Sequence, residues 1–353
     1  MGNEATAPGD GSATAPEGLQ RDGLEAWFAE HAPEAPPPLS FERIAGGLSN
    51  LTYGVRDAAG GRWALRRPPL GKRLGSAHDM GREHKVVAAL TPTEVPVPPL
   101  VGLCEDEAVI GAPFYVMGFV DGPVLRGLAD AETFPDQDDR WQIGMRVADT
   151  LAMIHAVDPD AVGLGDLGRK EDYVARQLRR WHGQWEKSKT RELATIDRVH
   201  DRLAARIPAQ GAATIVHGDY RLDNMILTPG GEVAAVVDWE LCTLGDPLAD
   251  VGTLMAYWPE QGEEQLRLGE PANLAPGFPG RADLAARYAE RSGRDLSDLN
   301  YYLALGYWKL AIILEGVYAR YLGGGYGKVD EGVHAFKTLV EKLAEAAERA
   351  EQS

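Results

Sequence analysis

The chain has 353 residues, 44% of them hydrophobic, 25% charged and 8% aromatic. That excludes a wholly disordered polypeptide and suffices for two compact units at roughly 150 residues each. With 36 basic against 53 acidic residues the net charge is −17, so no basic face is expected for nucleic acid. The two cysteines, Cys104 and Cys242, lie far apart and outside CxxC spacing, which argues against a disulfide framework or zinc site and predicts a reducing, cytoplasmic setting. No run approaches ~18 apolar residues, and MGNEATAPGDGSATAPEG lacks the basic and apolar regions of a signal peptide, so neither a membrane span nor secretion is expected.

Residues 1–18, rich in Gly, Ala, Pro and Thr, predict a disordered tail. Over 19–39, Leu24, Trp27 and Phe28 share a helical face, and the PEAPPP run then marks a linker. Phe41–Gly47, Asn50–Asp57 and Arg62–Arg67 read as short strands parted by glycine turns. Residues 76–90 read as a helix with Ser76 as cap and Asp79 in its first turn. VPVPPLVGL and APFYVMGFV supply two more strands around a Glu-Asp-Glu turn. Beyond Pro123 the pattern becomes helical, over about 138–157, 170–206, 281–291, 296–321 and 331–351. Two β-type runs, 214–217 and 233–237, interrupt it and predict a hairpin. The charge divides unevenly, with one basic and seven acidic residues before Ser40 and nine of each over 40–122; 26 basic and 37 acidic residues follow.

The segment TIVHGDYRLDNMIL, at 214–227, sends an apolar strand into His217-Gly218-Asp219, with Asn224 five residues after Asp219. AAVVDWE then places Asp238 at the end of a second apolar strand. Phosphoryl transfer needs such a set: one carboxylate to orient and deprotonate a hydroxyl, and an amide plus a second carboxylate to hold magnesium on the phosphates. Asp219 or Asn224 alone could be a turn residue; the joint pattern points to Asp219 as base and to Asn224 and Asp238 as metal ligands.

Over about residues 40–325 the chain resembles the aminoglycoside phosphotransferase and choline kinase family, relatives of the protein kinases. LRRPPLGKRLGSAHDMGREHKVVAAL and HGDYRLDNMILTPGGEVAAVVDWELCTLGDPLADVG look most like the kinase domain fused to some acyl-CoA dehydrogenases. The resemblance implies an α+β, protein-kinase-like two-lobe fold. Its β-rich nucleotide-binding lobe would span 40–117, its hinge 118–122, and its mainly helical lobe, with catalytic loop and acceptor site, 123–353. It implies ATP, with GTP as the alternative, and Mg²⁺, acting on the hydroxyl of a small molecule. His217 would brace the catalytic loop, and Asp250 in LADVG would support it from the next helix. Asp246 reads as a turn or cap residue.

The remaining candidates follow from the same resemblance. Arg66 stands where kinases put a phosphate-binding lysine, Ala64 on its face would lie over adenine, and Glu83 would aim the arginine. Arg66 could instead be a solvated strand residue. Ser49 and Asn50, beside Gly46-Gly47, would help cover the phosphates, and Gly118 to Val120 would offer backbone groups to the base. Arg221 either steadies charge on the transferred group or caps the loop. Lys309 and Arg320, on an aromatic-rich helix, either face the acceptor or belong to the helix packing. Arg66, Arg67, Lys72 and Arg73 put four basic groups in eight residues, either a solvated turn or a clamp for an anionic handle such as coenzyme A phosphates. The acceptor is then a hydroxyacyl-CoA, with aminoglycoside or choline phosphorylation as the alternative and a nucleotide-binding pseudoenzyme acting through a protein partner as the rival of another class. The oligomeric state cannot be read from the residues.

Overall fold

The structure, a computed structural model, describes residues 15–44, 50–70, 79–324 and 331–352. Its contacts divide the chain into two units, one running to Pro92 and including 97–121, the other comprising 93–96 and 122–353.

In the first unit, helix α1 (Arg21–His31) precedes strands β1 (Ser40–Ile44), β2 (Leu51–Arg56) and β3 (Arg62–Arg67). Helix α2 (Met80–Leu90) and strands β4 (Leu100–Cys104) and β5 (Phe114–Gly118) complete it. The strands pair antiparallel in the order β1-β2-β3-β5-β4. Period-two alternation sends Tyr53, Val55, Trp63, Leu65 and Val116 to one face, where Leu24, Trp27 and Phe28 of α1 cover them. Trp27 meets Phe114 edge-on at 5.3 Å. Ala64, Tyr115 and Met117 go to the other face, against Met80 of α2.

Helix α1, read with its linker at 19–39 as a segment ahead of the lobe, belongs to this unit's core. Residues 15–18 are not a disordered tail: the Tyr53 hydroxyl donates to the Glu17 carbonyl at 2.9 Å, and the Arg67 guanidinium donates to the Gly18 carbonyl. Helix α2 starts at Met80 because the Asp79 carboxylate accepts the Arg82 N–H at 3.0 Å and so caps it; Ser76, the cap read from the sequence, lies outside the described residues.

The second unit contains α3 (Gln137–Ala156), α4 (Tyr173–Ser188), α5 (Ala194–Ala205), β6 (Thr214–Val216), β7 (Met225–Leu227), β8 (Val233–Val236) and β9 (Thr243–Gly245). Helices α6 (Leu248–Ala256), α7 (Arg281–Ser292), α8 (Leu299–Leu322) and α9 (Glu331–Gln352) follow. Its core joins α4, α5, α8 and α9 around Trp185, Tyr301, Trp308 and Leu343. Gly252 lets α6 and α8 meet backbone to backbone, since a Cβ there would lie 2.2 Å from the Tyr302 carbonyl oxygen.

The helix read over 170–206 is two helices. Glu315 of α8, fully buried, accepts the Thr190 N–H at 2.6 Å and hydroxyl at 2.7 Å, and pairs with Arg191 at 2.9 Å. Those bonds need an open turn, so the chain leaves the helix between α4 and α5 to supply them. The two β-type runs do not pair with each other either. β6 pairs with β9 and β8 with β7, both antiparallel. The loop from β6 to β7 and the turn from β8 to β9 carry the candidate residues.

Candidate active site

The loop after β6 is fixed by a buried carboxylate. Asp250, wholly buried in the first turn of α6, accepts the His217 N–H at 2.6 Å and the Gly218 N–H at 2.8 Å. His155 of α3 contacts the same carboxylate through Nε2 at 3.3 Å, and its Nδ1 meets the Tyr288 hydroxyl at 2.8 Å. Burial opposes ionisation of Asp250, but the hydrogen bonds from His155 and the loop outweigh it and hold its pKa below the ordinary value. Burial pushes His155 down and keeps it neutral. Asp250 thus does what the resemblance implied. Asp246 accepts the Leu248 N–H at 3.0 Å and the Tyr302 hydroxyl at 2.7 Å, a cap tied to α8.

Gly218 has φ of +86°, and a Cβ would lie 2.8 Å from the Leu241 carbonyl oxygen, so conformation and space both require glycine. Both ring nitrogens of His217 are engaged. Nδ1 accepts the Asp219 N–H at 3.2 Å, which leaves the proton on Nε2 to be donated to the Val237 carbonyl at 3.1 Å. A histidine so occupied, with its ring against Trp239 at 4.6 Å, braces the backbone and joins the loop to the end of β8.

Asp219 is only partly buried, and three neighbours define it. The Asn224 amide donates to its carboxylate at 3.1 Å and to its carbonyl at 2.8 Å, while Arg221 pairs with the carboxylate at 3.2 Å. Burial raises the Asp219 pKa, Arg221 opposes this and the nearby Asp238 adds to it, so the carboxylate is more basic than usual. Asp238 has φ of +70° and ψ of +55°, a left-handed conformation that a non-glycine residue adopts at a cost of order 1–2 kcal/mol. With its amide nitrogen engaged by Asp219, Asn224 keeps Oδ1 as a ligand atom. That oxygen and the Asp238 carboxylate are the hard donors that magnesium prefers, so the residues present fit the ion.

The environment of Arg221 was not legible in advance. Asp223, two residues on, accepts from Arg221 at 3.1 Å and from Arg267 at 3.0 Å, and the Arg221 guanidinium lies 4.9 Å over the Tyr257 ring. The alternation of arginine and aspartate in DYRLDN was the available signal for Asp223; nothing local marked Arg267 or Tyr257.

In the first unit, Arg66 and Glu83 form an ion pair at 3.2 Å, with Glu83 only 2% exposed. This removes the solvated-strand reading of Arg66. Ala64 shares its face of the sheet. Arg67 points the other way and is 5% exposed, donating to Pro68 at 3.1 Å as well as to Gly18. The four-residue basic clamp is corrected accordingly, because Arg66 is paired with Glu83 and Arg67 is buried. Lys72, Arg73 and Ser49 lie outside the described residues, and Asn50 is buried just before β2. The Gly118 N–H is taken by the Pro99 carbonyl at 2.7 Å and the Phe119 N–H by Arg62 at 3.1 Å. Gly118 therefore has no N–H to give a base, which leaves its carbonyl and the backbone of Val120 as the candidates.

Lys309 and Arg320 are not brought together. Eleven residues of helix α8 separate them, about 16 Å. Lys309 points at the catalytic loop, and Arg320 is exposed in the last turn.

A carboxylate held beside an amide and a second carboxylate, on a loop pinned from the following helix, suits a protein-kinase-like phosphotransferase that acts on hydroxyl groups. The model of the APH family, described as the phosphotransferase enzyme family, matches residues 40–286, and the chain belongs to that family. It is 34% identical to a solved Ralstonia eutropha JMP134 protein provisionally named an aminoglycoside phosphotransferase, with a TM-score of 0.79 over 95% of this chain and 98% of that one. It is 35% identical to mouse acyl-CoA dehydrogenase family member 10 over 291 residues, 81% of this chain but 27% of the relative, so it spans well under half of that protein. A choline kinase from Cryptosporidium parvum Iowa II shares the fold at 12% identity, with a TM-score of 0.66 over 94% of this chain and 96% of that one. Among the described residues, no helix is long and apolar enough to cross a membrane.

Proposed function

We propose that the chain transfers the γ-phosphate of ATP, with magnesium, to the hydroxyl of a hydroxyacyl-coenzyme A. The observation that carries the chemistry is the Asp219 carboxylate, partly open, made more basic than usual and held by Asn224 and Arg221. Asp219 accepts the proton of the acceptor hydroxyl as that oxygen forms its bond to phosphorus, and the bond from the γ-phosphorus to the bridging oxygen breaks to release ADP. Asn224 and Asp238 would hold magnesium, which when bound neutralises phosphate charge. Arg221 supplies positive charge beside the reacting carboxylate. Arg66, aimed by Glu83, is assigned to the nucleotide phosphates, which arginine can grip bidentately. Ala64, Ser49, Asn50 and Val120 are assigned to the nucleotide as well.

Two features favour an anionic acceptor over a polycationic antibiotic. Arg221 pairs with Asp219, and Arg221 and Arg267 both pair with Asp223 four residues on, where an aminoglycoside would call for unpaired carboxylates. The mouse relative is named for acyl-CoA dehydrogenation, a chemistry of coenzyme A thioesters. Lys72 and Arg73 are the remaining candidates for its phosphates.

The test is a coupled ADP-release assay with a hydroxyacyl-CoA, a kanamycin-type aminoglycoside and choline. The thioester should turn over fastest. Changing Lys72 and Arg73 together to alanine should raise its KM with little change in kcat, as loss of uniform binding does. Robust aminoglycoside turnover, or an unmoved thioester KM in the double variant, would reject the acceptor.

A further inference from the structure

Gly218 is gripped at both ends of its residue. Its N–H is held by the Asp250 carboxylate at 2.8 Å, and its carbonyl accepts from the Lys309 ammonium at 2.6 Å. An anion and a cation from two different helices, α6 and α8, therefore clamp the residue that immediately precedes Asp219. Bonds of this charge-assisted kind are about twice as strong as neutral ones.

The surroundings of Lys309 leave little room for an acceptor. Its ammonium lies 5.5 Å from the centre of the Trp181 ring. The space around it is a cavity of only about 10 Å³, lined by Tyr173, Trp181, Gly218, Asp250 and Thr253 among others. Such a void admits about one water molecule and no substrate. A half-buried ammonium in so small a space needs compensation. Burial pushes its pKa down, while Asp219 and Asp250 favour the charged form. The aspartates that favour it are the proposed base and the anchor of the loop.

The geometry points to Lys309 as a positioning residue for phosphoryl transfer: through the Gly218 carbonyl it fixes, from α8, the backbone from which Asp219 projects, opposite the hold that Asp250 has on the Gly218 N–H from α6. This inference rests on Asp219 being the base. Arg221 pairs with the Asp219 carboxylate from within the loop, while Lys309 holds the backbone one residue before it from α8. The lysine on the aromatic helix thus serves the loop, and the acceptor is left to other residues.

The experiment compares wild type with Lys309→Met, Lys309→Gln and Lys309→Arg in two readouts. The first is steady-state kinetics. Lys309→Met should lower kcat on the order of 10²-fold, the scale for a misplaced catalytic group, with the KM values for ATP and acceptor within about twofold. Lys309→Arg, which keeps the charge and the donor, should recover most of the loss, and Lys309→Gln, which keeps only a donor, should fall between. The second is amide hydrogen exchange at Asp219 and Tyr220, which needs no turnover and should speed up in Lys309→Met in proportion. An unchanged kcat together with unchanged exchange would overturn the inference. A raised acceptor KM at constant kcat would also overturn it and return Lys309 to the acceptor. If Lys309→Met does not fold, the Arg and Gln variants decide by the same two readouts. A wild type without ATP turnover would refute the kinase reading alone, and the exchange result would still show whether Lys309 holds the loop.

Discussion

The catalytic loop of the second unit and the Arg66–Glu83 pair of the first both bury charge, but by different constructions. In the loop, the anion Asp250 is met by backbone N–H groups of His217 and Gly218 and by a neutral histidine, and Lys309 closes the other side of Gly218. In the first unit, a strand arginine meets a helix glutamate, side chain to side chain. A charge satisfied by backbone donors fixes the path of the chain. A charge satisfied by another side chain fixes the aim of that side chain. The loop should therefore respond to mutation in stability and rate together, and the pair chiefly in ligand affinity.

The largest expected effect is on Asp250→Ala. It strands two buried N–H groups and removes the counter-charge of Lys309, which should cost about 3–5 kcal/mol of unfolding free energy at pH 7, read by urea titration. The sign with pH follows from the depressed pKa of Asp250. Its stabilisation is present above the ordinary carboxylate pKa near ~4 and disappears as pH falls through the lower native value. The stabilities of wild type and variant should therefore converge below pH ~4. A constant gap down to the acid transition would show that the Asp250 charge is not what holds the loop.

A smaller effect is expected of Arg66→Lys. The lysine keeps a charge against Glu83 but loses the bidentate fork. The KM for ATP should rise by roughly tenfold or less, about 1.4 kcal/mol at most, with thermal stability nearly unchanged. A loss of stability comparable to that of Asp250→Ala would erase the distinction between the two constructions.

The same distinction explains what the residues disclosed before the structure. His217, Asp219 and Asn224 stand within eight positions, so their spacing alone carries the chemistry. Asp238 stood out because an apolar strand leads into it, and Arg66 and Glu83 through the resemblance to the family; the structure adds the ion pair between the last two. Lys309 was noticed without its partner, since nothing local says that α8 brings it to the Gly218 carbonyl, 91 residues away. His155, Arg267 and Tyr257 reach the loop only through tertiary placement. The pairing of β6 with β9 was missed because strands of three residues carry too little alternation to read. The break between α4 and α5 is dictated by Glu315, 125 residues from Thr190. Ser49, Lys72 and Arg73 lie outside the described residues, and their roles rest on the resemblance and on chemistry.

The central claim is that Asp219 acts on the hydroxyl while Asp238 holds the metal. Calorimetry with Mg-ATP on Asp219→Asn and Asp238→Ala, paired with single-turnover rates, tests it most directly. The account predicts near wild-type Mg-ATP affinity in Asp219→Asn with turnover lowered on the order of 10²-fold or more, and loss of most Mg-ATP binding in Asp238→Ala. Undiminished affinity in Asp238→Ala, or lost nucleotide binding with normal turnover per bound complex in Asp219→Asn, would contradict it.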